Sequence, residues 1–179
     1  MTEAPWTTEE LEAFLIEAYA EAWPRNVNIV HDAGDLHGFE RVRYDRLPWT
    51  YTDLYYGSSN DGGMELVRHN SVPIWMNVYR GGLTTAVEQF DVFGFLVRAL
   101  DASNGTGTYR PRGPVEFTSE EVPLKYLYSG HGNLTRFFGI EVIKHNEVVL
   151  YERTVTGGLV GQAPVLLPGG FHTAISTLF

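Results

Sequence analysis

Gly63–Leu83, GMELVRHNSVPIWMNVYRGGL, decides the fold, because Gly139–Leu159, GIEVIKHNEVVLYERTVTGGL, repeats it 76 residues later without a gap. Eight of the 21 aligned pairs are identical, among them Glu65/Glu141, His69/His145, Asn70/Asn146 and Gly81/Gly157. Average composition would yield about one or two by chance. Val67/Ile143, Arg68/Lys144 and Trp75/Tyr151 are chemically alike. Each copy reads as two runs of alternating apolar residues joined at His-Asn, and Asn tolerates the left-handed backbone that tight hairpins demand.

Working outward, Arg41–Tyr44 and Trp49–Gly57 alternate as strands around Leu47-Pro48. In the second half strands are expected near Val115–Phe117, Val122–Gly130, Phe138–His145 and Val148–Thr156. Thr7-Thr8-Glu9-Glu10 is a capping box, followed at helical spacing by Leu11, Phe14, Leu15, Ala18 and Ala22, with Pro24 as the stop. Acidic Glu9, Glu10 and Glu12 suit the positive end of that helix. Thr85 and Glu88 repeat the capping box and predict a second helix with a buried stripe of Phe90, Phe93, Val97 and Leu100. Phe14–Ala18 resembles Phe95–Ala99, which places the helix inside the repeat.

The expected fold is α+β: an internally duplicated unit of one helix and three to four antiparallel strands, joined into one curved antiparallel sheet with both helices on one face. Residues 1–179 form a single domain of two repeats, about 7–83 and 84–159, followed by an uncharged tail, 160–179. No Lys, Arg, Asp or Glu occurs after Arg153. Such a segment is expected to pack over the core or against a partner.

Side chains alternate across a strand, so each strand has two faces. One carries Thr52, Leu54, Tyr56, Met64, Leu66, Ile74, Met76 and Val78, an ordinary apolar face that the helices are expected to cover. The opposite face carries Tyr51, Asp53, Tyr55, Glu65, Val67, His69, Trp75, Asn77 and Tyr79, and in the second half Tyr126, Tyr128, Glu141, Ile143, Tyr151 and Arg153. Large aromatics mixed with isolated acids, an amide and an arginine have the composition of a binding pocket. Tyr, Trp and Arg are also enriched at interfaces, so a dimer surface is the competing reading.

Composition narrows the function. Apolar residues make up 44% of the chain and aromatics 13%, which argues against disorder. A net charge of −9 with 13 scattered basic residues argues against nucleic acid. No apolar run reaches the length of a membrane span, and MTEAPWTTEE has neither the basic nor the apolar part of a signal peptide. The absence of cysteine removes disulfides and thiol chemistry and fits a cytoplasmic location. His31, Asp32, Asp35 and His37 are read as a solvated loop rather than a metal site. His69-Asn70 and His145-Asn146 are read as turn chemistry. No metal, phosphate-loop, dinucleotide or nucleophile-elbow motif occurs, and no cofactor is expected.

Tyr51-x-Asp53-x-Tyr55-x-Gly57, Gly63-x-Glu65 and Pro73-x-Trp75-Met76-Asn77-x-Tyr79-x-Gly81, continued by Arg112-Gly113-Pro114, Phe138-Gly139-x-Glu141, Tyr151-Glu152 and Gly157-Gly158, resemble a bacterial and archaeal domain family of unknown function. The resemblance covers roughly residues 10 to 160. Several members look like ligand-sensing domains fused to a helix-turn-helix, a module not expected in this chain. Thr156 stands where the family pattern usually has a polar or aromatic residue, often His. The resemblance implies the fold and the face of interest, and no activity.

Three functions remain open. The first is a small-molecule-binding protein with its pocket on the sheet face away from the helices: Glu65 and Glu141 at the floor, walls of Tyr51, Tyr55, Trp75, Tyr79, Tyr126, Tyr128 and Tyr151, and Asn77 and Arg153 as orienting groups. The second is an acid/base enzyme (isomerase, cyclase or hydrolase) using Glu65, Glu141 and Asp53, whose division of labour would come from Asn77 standing against Arg153 and Asp53 against Tyr126. The third is an interaction module or homodimer, from which Trp75→Ala would release a monomer.

Overall fold

The computed structural model describes residues 5–22, 29–30, 38–85, 90–102 and 114–161. His31, Asp32, Asp35 and His37, Glu88 of the second capping box, Arg112-Gly113, and residues 162–179 of the uncharged tail lie outside the described residues.

Helix α1 (Thr8–Ala22) begins as its sequence dictates. The Thr7 amide donates to Glu10 Oε2 at 2.8 Å, and the Glu10 amide donates to Thr7 Oγ1 at 3.2 Å. Two of the four amides that a helix start leaves unsatisfied are thereby paired. Its buried stripe is Leu11, Phe14, Leu15, Ala18 and Ala22.

The strands are β1 (Ile29–Val30), β2 (Glu40–Arg46), β3 (Trp49–Gly57), β4 (Asn60–His69), β5 (Val72–Leu83), β6 (Glu116–Thr118), β7 (Lys125–Asn133), β8 (Arg136–His145) and β9 (Val148–Leu159). They form one curved, open antiparallel sheet in the order β1-β2-β3-β4-β5-β9-β8-β7-β6. The β4–β5 hairpin turns at Asn70 and Ser71, with φ of 49° and 69°, and β8–β9 turns at Asn146, with φ of 54°. β8 and β9 begin and end 76 residues after β4 and β5, and their registers break at matching points, Val67/Arg68 and Ile143/Lys144. Each break is a bulge that brings two consecutive residues inward, Ile74 with Trp75 and Leu150 with Tyr151.

β5 and β9 pair at the middle of the sheet, with Trp75 facing Leu159, Tyr79 facing Val155 and Leu83 facing Tyr151. Exchanging β5 for β9 about the Tyr79–Val155 pair therefore carries one hairpin's register onto the other's. The correspondence slips by one residue in the neighbouring strands. Asp53 faces Glu65, whereas Tyr128 faces Glu141, so the counterpart of Asp53 is Tyr128 and not Tyr126.

Helix α2 (Val92–Asp101) departs from its sequence reading. It is capped by Asp91, whose Oδ1 accepts from the Gly94 amide at 2.8 Å. Its buried residues are Val92, Phe95, Leu96 and Ala99, while Val97 is half exposed. Val92, Phe93, Phe95, Leu96 and Val97 make the helix apolar on several sides, so spacing alone leaves its rotation undetermined.

The covered sheet face also differs from expectation. α1 packs on the face of Glu65: Phe14 stacks on Trp49 at 5.4 Å and Tyr19 meets Tyr51 edge-on at 5.6 Å. α2 packs on the face of Glu141, where Phe93 meets Tyr151 edge-on at 5.7 Å and Phe95, Leu96 and Ala99 join Tyr126, Ile143 and Tyr151 in one core. The Leu54, Leu66 and Met76 face is outward and only partly buried, and Ile74 is drawn off it by the bulge. The physical reason is area. A buried aromatic removes roughly 150–250 Å² from water, more than Leu or Met offers, and the acids among these rings are tolerated because hydroxyl, amide and guanidinium groups meet them.

Candidate functional site

Three carboxylates stand fully buried on the helix-covered face: Asp53, Glu65 and Glu141. Strand register sets them out in a row, with Asp53 on β3, Glu65 on β4 and Asn77 on β5 facing one another in turn. Glu65 Oε2 accepts from the Tyr19 hydroxyl at 2.6 Å and from Asn77 Nδ2 at 2.8 Å. The Tyr79 hydroxyl donates to both Asp53 oxygens, at 3.0 and 3.2 Å. It reaches them over Gly63, where an added Cβ would lie 2.4 Å from the hydroxyl oxygen. Gly139 does the same for Tyr128 in the other half. Gly63 and Gly139, equivalent in the two stretches, are thus recesses for tyrosine rings.

Glu141 has different company. Its Oε2 accepts from the Tyr126 hydroxyl at 3.0 Å and its Oε1 lies 3.2 Å from Arg153 Nη1. Arg153 Nη2 also pairs with Asp61, which accepts from the Tyr151 hydroxyl at 3.2 Å. The guanidinium sits 4.7 Å from the Tyr79 ring centroid and 5.3 Å from that of Tyr151. Ionic pairing and two aromatic faces hold one buried cation.

The twelve residues singled out by sequence all lie on this face, but among the described residues they do not line one open pocket. Trp75 is fully enclosed, with Nε1 donating to the Leu134 carbonyl at 3.0 Å and its ring stacked on Phe137 at 5.9 Å. Tyr51, Tyr126 and Tyr151 are likewise buried. The expected pocket on the face away from the helices is therefore corrected, as is the reading of this aromatic face as an exposed interface. A cleft of about 310 Å³ opens instead between α1 and the β7–β8 turn, lined by Glu12, Tyr128, His131, Asn133, Leu134 and Phe137. Of the singled-out residues only Tyr128 reaches it.

Sequence reasoning passed over Tyr19, Asp61 and Phe137. Asp61 has the same strand parity as Gly63 and Glu65, and Tyr19 follows Leu11 and Leu15 at helical spacing, so both signals were present. Phe137 was legible only through its alignment with Asp61. Among the described residues no cluster of three His, Cys, Asp or Glu is suited to a metal ion, and no helix is long and apolar enough to cross a membrane.

Tyr55 stands at the margin of the site. Burial, a hydrogen bond to Glu40 and the negative charges of Glu40 and Asp53 push its hydroxyl well above the ordinary tyrosine range. The folded state then keeps a proton that the unfolded chain loses near pH 10, so the stabilisation is complete below that pH and declines as pH rises towards the folded value. Denaturant titrations between pH 9 and 11 should show wild-type stability falling more steeply than that of Tyr55→Phe. Parallel slopes would contradict the assignment.

The model of a family described as "Domain of unknown function (DUF5680)" matches residues 53–160, which takes in β4 to β9 and α2. No curated protein and no solved structure matches the chain.

Proposed function

The chain belongs to the DUF5680 family, and from that premise we propose that it is a small-molecule-binding domain whose ligand enters the cleft between α1 and the β7–β8 turn. The observation that carries this reading is the cleft itself. Its volume of about 310 Å³ falls at the lower end of ligand pockets, and Tyr128, Leu134 and Phe137 supply apolar walls beside the acid Glu12. Tyr128 stands directly across from Glu141, so the cleft borders the buried polar row. We also read the two hairpins as copies of one ancestral unit, on the strength of their common bounds and matched bulges.

A fragment screen by thermal shift tests the proposal. At least one fragment should raise the melting temperature of wild type with rising concentration, and Tyr128→Ala should remain folded and lose the response. A flat result across the screen would overturn it.

A second reading, an acid/base enzyme, is favoured by the unlike partners of two equivalent glutamates. Glu65 accepts from the Tyr19 hydroxyl and the Asn77 amide, whereas Glu141 accepts from the Tyr126 hydroxyl and lies beside the Arg153 guanidinium. Carboxylates in different settings can divide acid and base roles. Turnover of a bound compound, detected by mass spectrometry and abolished in Glu65→Gln, would establish it; binding without turnover would leave the first reading.

A further inference from the structure

The strand register that relates β5 to β9 carries Arg153 onto Asn77, Glu141 onto Glu65, Gly81 onto Gly157, Asp61 onto Phe137 and Tyr151 onto Trp75. In one half Arg153 extends from beside Glu141, past the bare backbone of Gly81, to Asp61, with aromatic rings at its faces. In the other half the residue at that position is an asparagine. Its side chain ends at the δ position, where the arginine's aliphatic stem gives way to the guanidinium.

Asn77 is fully buried, and its Nδ2 is committed to Glu65 on the β4 side. That contact fixes the amide's orientation, since a flipped amide would set oxygen against carboxylate. Oδ1, directed away from Glu65, has no hydrogen-bond partner, and Gly157 is the residue that faces Asn77 on β9. An orphaned acceptor at a fully buried position is costly and calls for an explanation. The ring beyond Gly157 is Phe137, which also forms a wall of the cleft.

We infer that the Glu65–Asn77–Phe137 position is a subsite for the cationic head of the cleft's ligand, a guanidinium or protonated amine carried on an apolar body. This deepens the proposed function and rests on it. Arg153 is the chain's own example of the bound state. The ligand's N–H groups donate to Asn77 Oδ1, the Glu65 carboxylate beyond the amide balances its charge, and that charge lies against the Phe137 face as that of Arg153 lies against Tyr79. Phe137 swings aside to admit the head from the cleft.

Benzylguanidine and its uncharged counterpart benzylurea are the probes, measured by isothermal titration calorimetry against wild type, Asn77→Leu and Asn77→Arg, with circular dichroism to establish folding. Wild type should bind benzylguanidine at least about tenfold more tightly than benzylurea, roughly one charge-assisted contact. The preference should vanish in Asn77→Leu, which removes the acceptor at similar volume. Asn77→Arg should fold, because it places a guanidinium beside Glu65 as Arg153 stands beside Glu141, and should exclude benzylguanidine. Equal affinity for the two probes in wild type overturns the inference, as does a preference that survives in Asn77→Leu. Equal binding that disappears in Tyr128→Ala overturns the cation subsite and leaves the cleft as the binding site. Silence of both probes, together with a flat fragment screen, overturns both.

Discussion

Arg153→Ala is expected to destabilise the protein by about 3–5 kcal/mol, the range for breaking a buried ion pair by removing one partner. Arg153 is 5% exposed and Glu141 fully buried, so neither charge can turn to water when the other is lost. The substitution takes the guanidinium from Glu141 and Asp61 together, and it removes a cation from between Tyr79 and Tyr151. The cost should come from the stranded carboxylates rather than from lost attraction. Arg153→Met with Glu141→Gln, which fills the space and removes the nearer charge, should therefore recover at least about half of the loss. Urea denaturation of the two single variants and the double variant gives the coupling directly. A double variant as unstable as the sum of its parts would show that the pair does not act as a unit.

Trp75→Ala should be comparably severe, about 3–5 kcal/mol, the usual penalty for truncating a buried tryptophan. Trp75 is fully enclosed near the centre of the sheet, stacks on Phe137 from β8 and donates to a backbone carbonyl in the β7–β8 turn. It ties the first half of the chain to the second across 59 residues of sequence. Trp75→Phe keeps much of the apolar contact and loses the hydrogen bond, so it should cost about 1–2 kcal/mol. Sizing chromatography should show the same oligomeric state for Trp75→Phe as for wild type, since the side chain lies inside the chain and not on a surface. A loss below about 1 kcal/mol for Trp75→Ala would mean that the two halves are held together without it.

The second substitution bears on the cleft. Phe137 leans on Trp75, and Leu134 supplies the carbonyl that Trp75 holds, so the wall of the cleft is positioned by a residue that does not line it. Compounds found in the fragment screen should bind Trp75→Phe more weakly than wild type even where its stability is largely kept.

The amino-acid sequence by itself determined much that depends on near neighbours along the chain, though not the start of α2, where Asp91 caps the helix in place of the expected Thr85. The capping box at Thr7–Glu10 and the single apolar stripe of α1 are local, and both stand as read. The strands of the two like stretches and their turns at Asn70 and Asn146 were equally legible, because period-two alternation and left-handed asparagines are short-range signals. Most of the acid and aromatic face was also legible in the sequence, Asp61 and Phe137 being the members it passed over. Tertiary structure alone decided which face the helices would cover. Alternation divides a strand into two sides without saying which turns inward, and the choice rests on total area removed from water and on whether buried charges find partners. Those partners come from far along the chain: Tyr19 reaches Glu65 across 46 residues, and Arg153 reaches Asp61 across 92. The rotation of α2, the one-residue slip that sets Tyr128 opposite Glu141, and the bulges that bring Ile74 and Leu150 inward were settled the same way, by packing between segments that no local pattern connects.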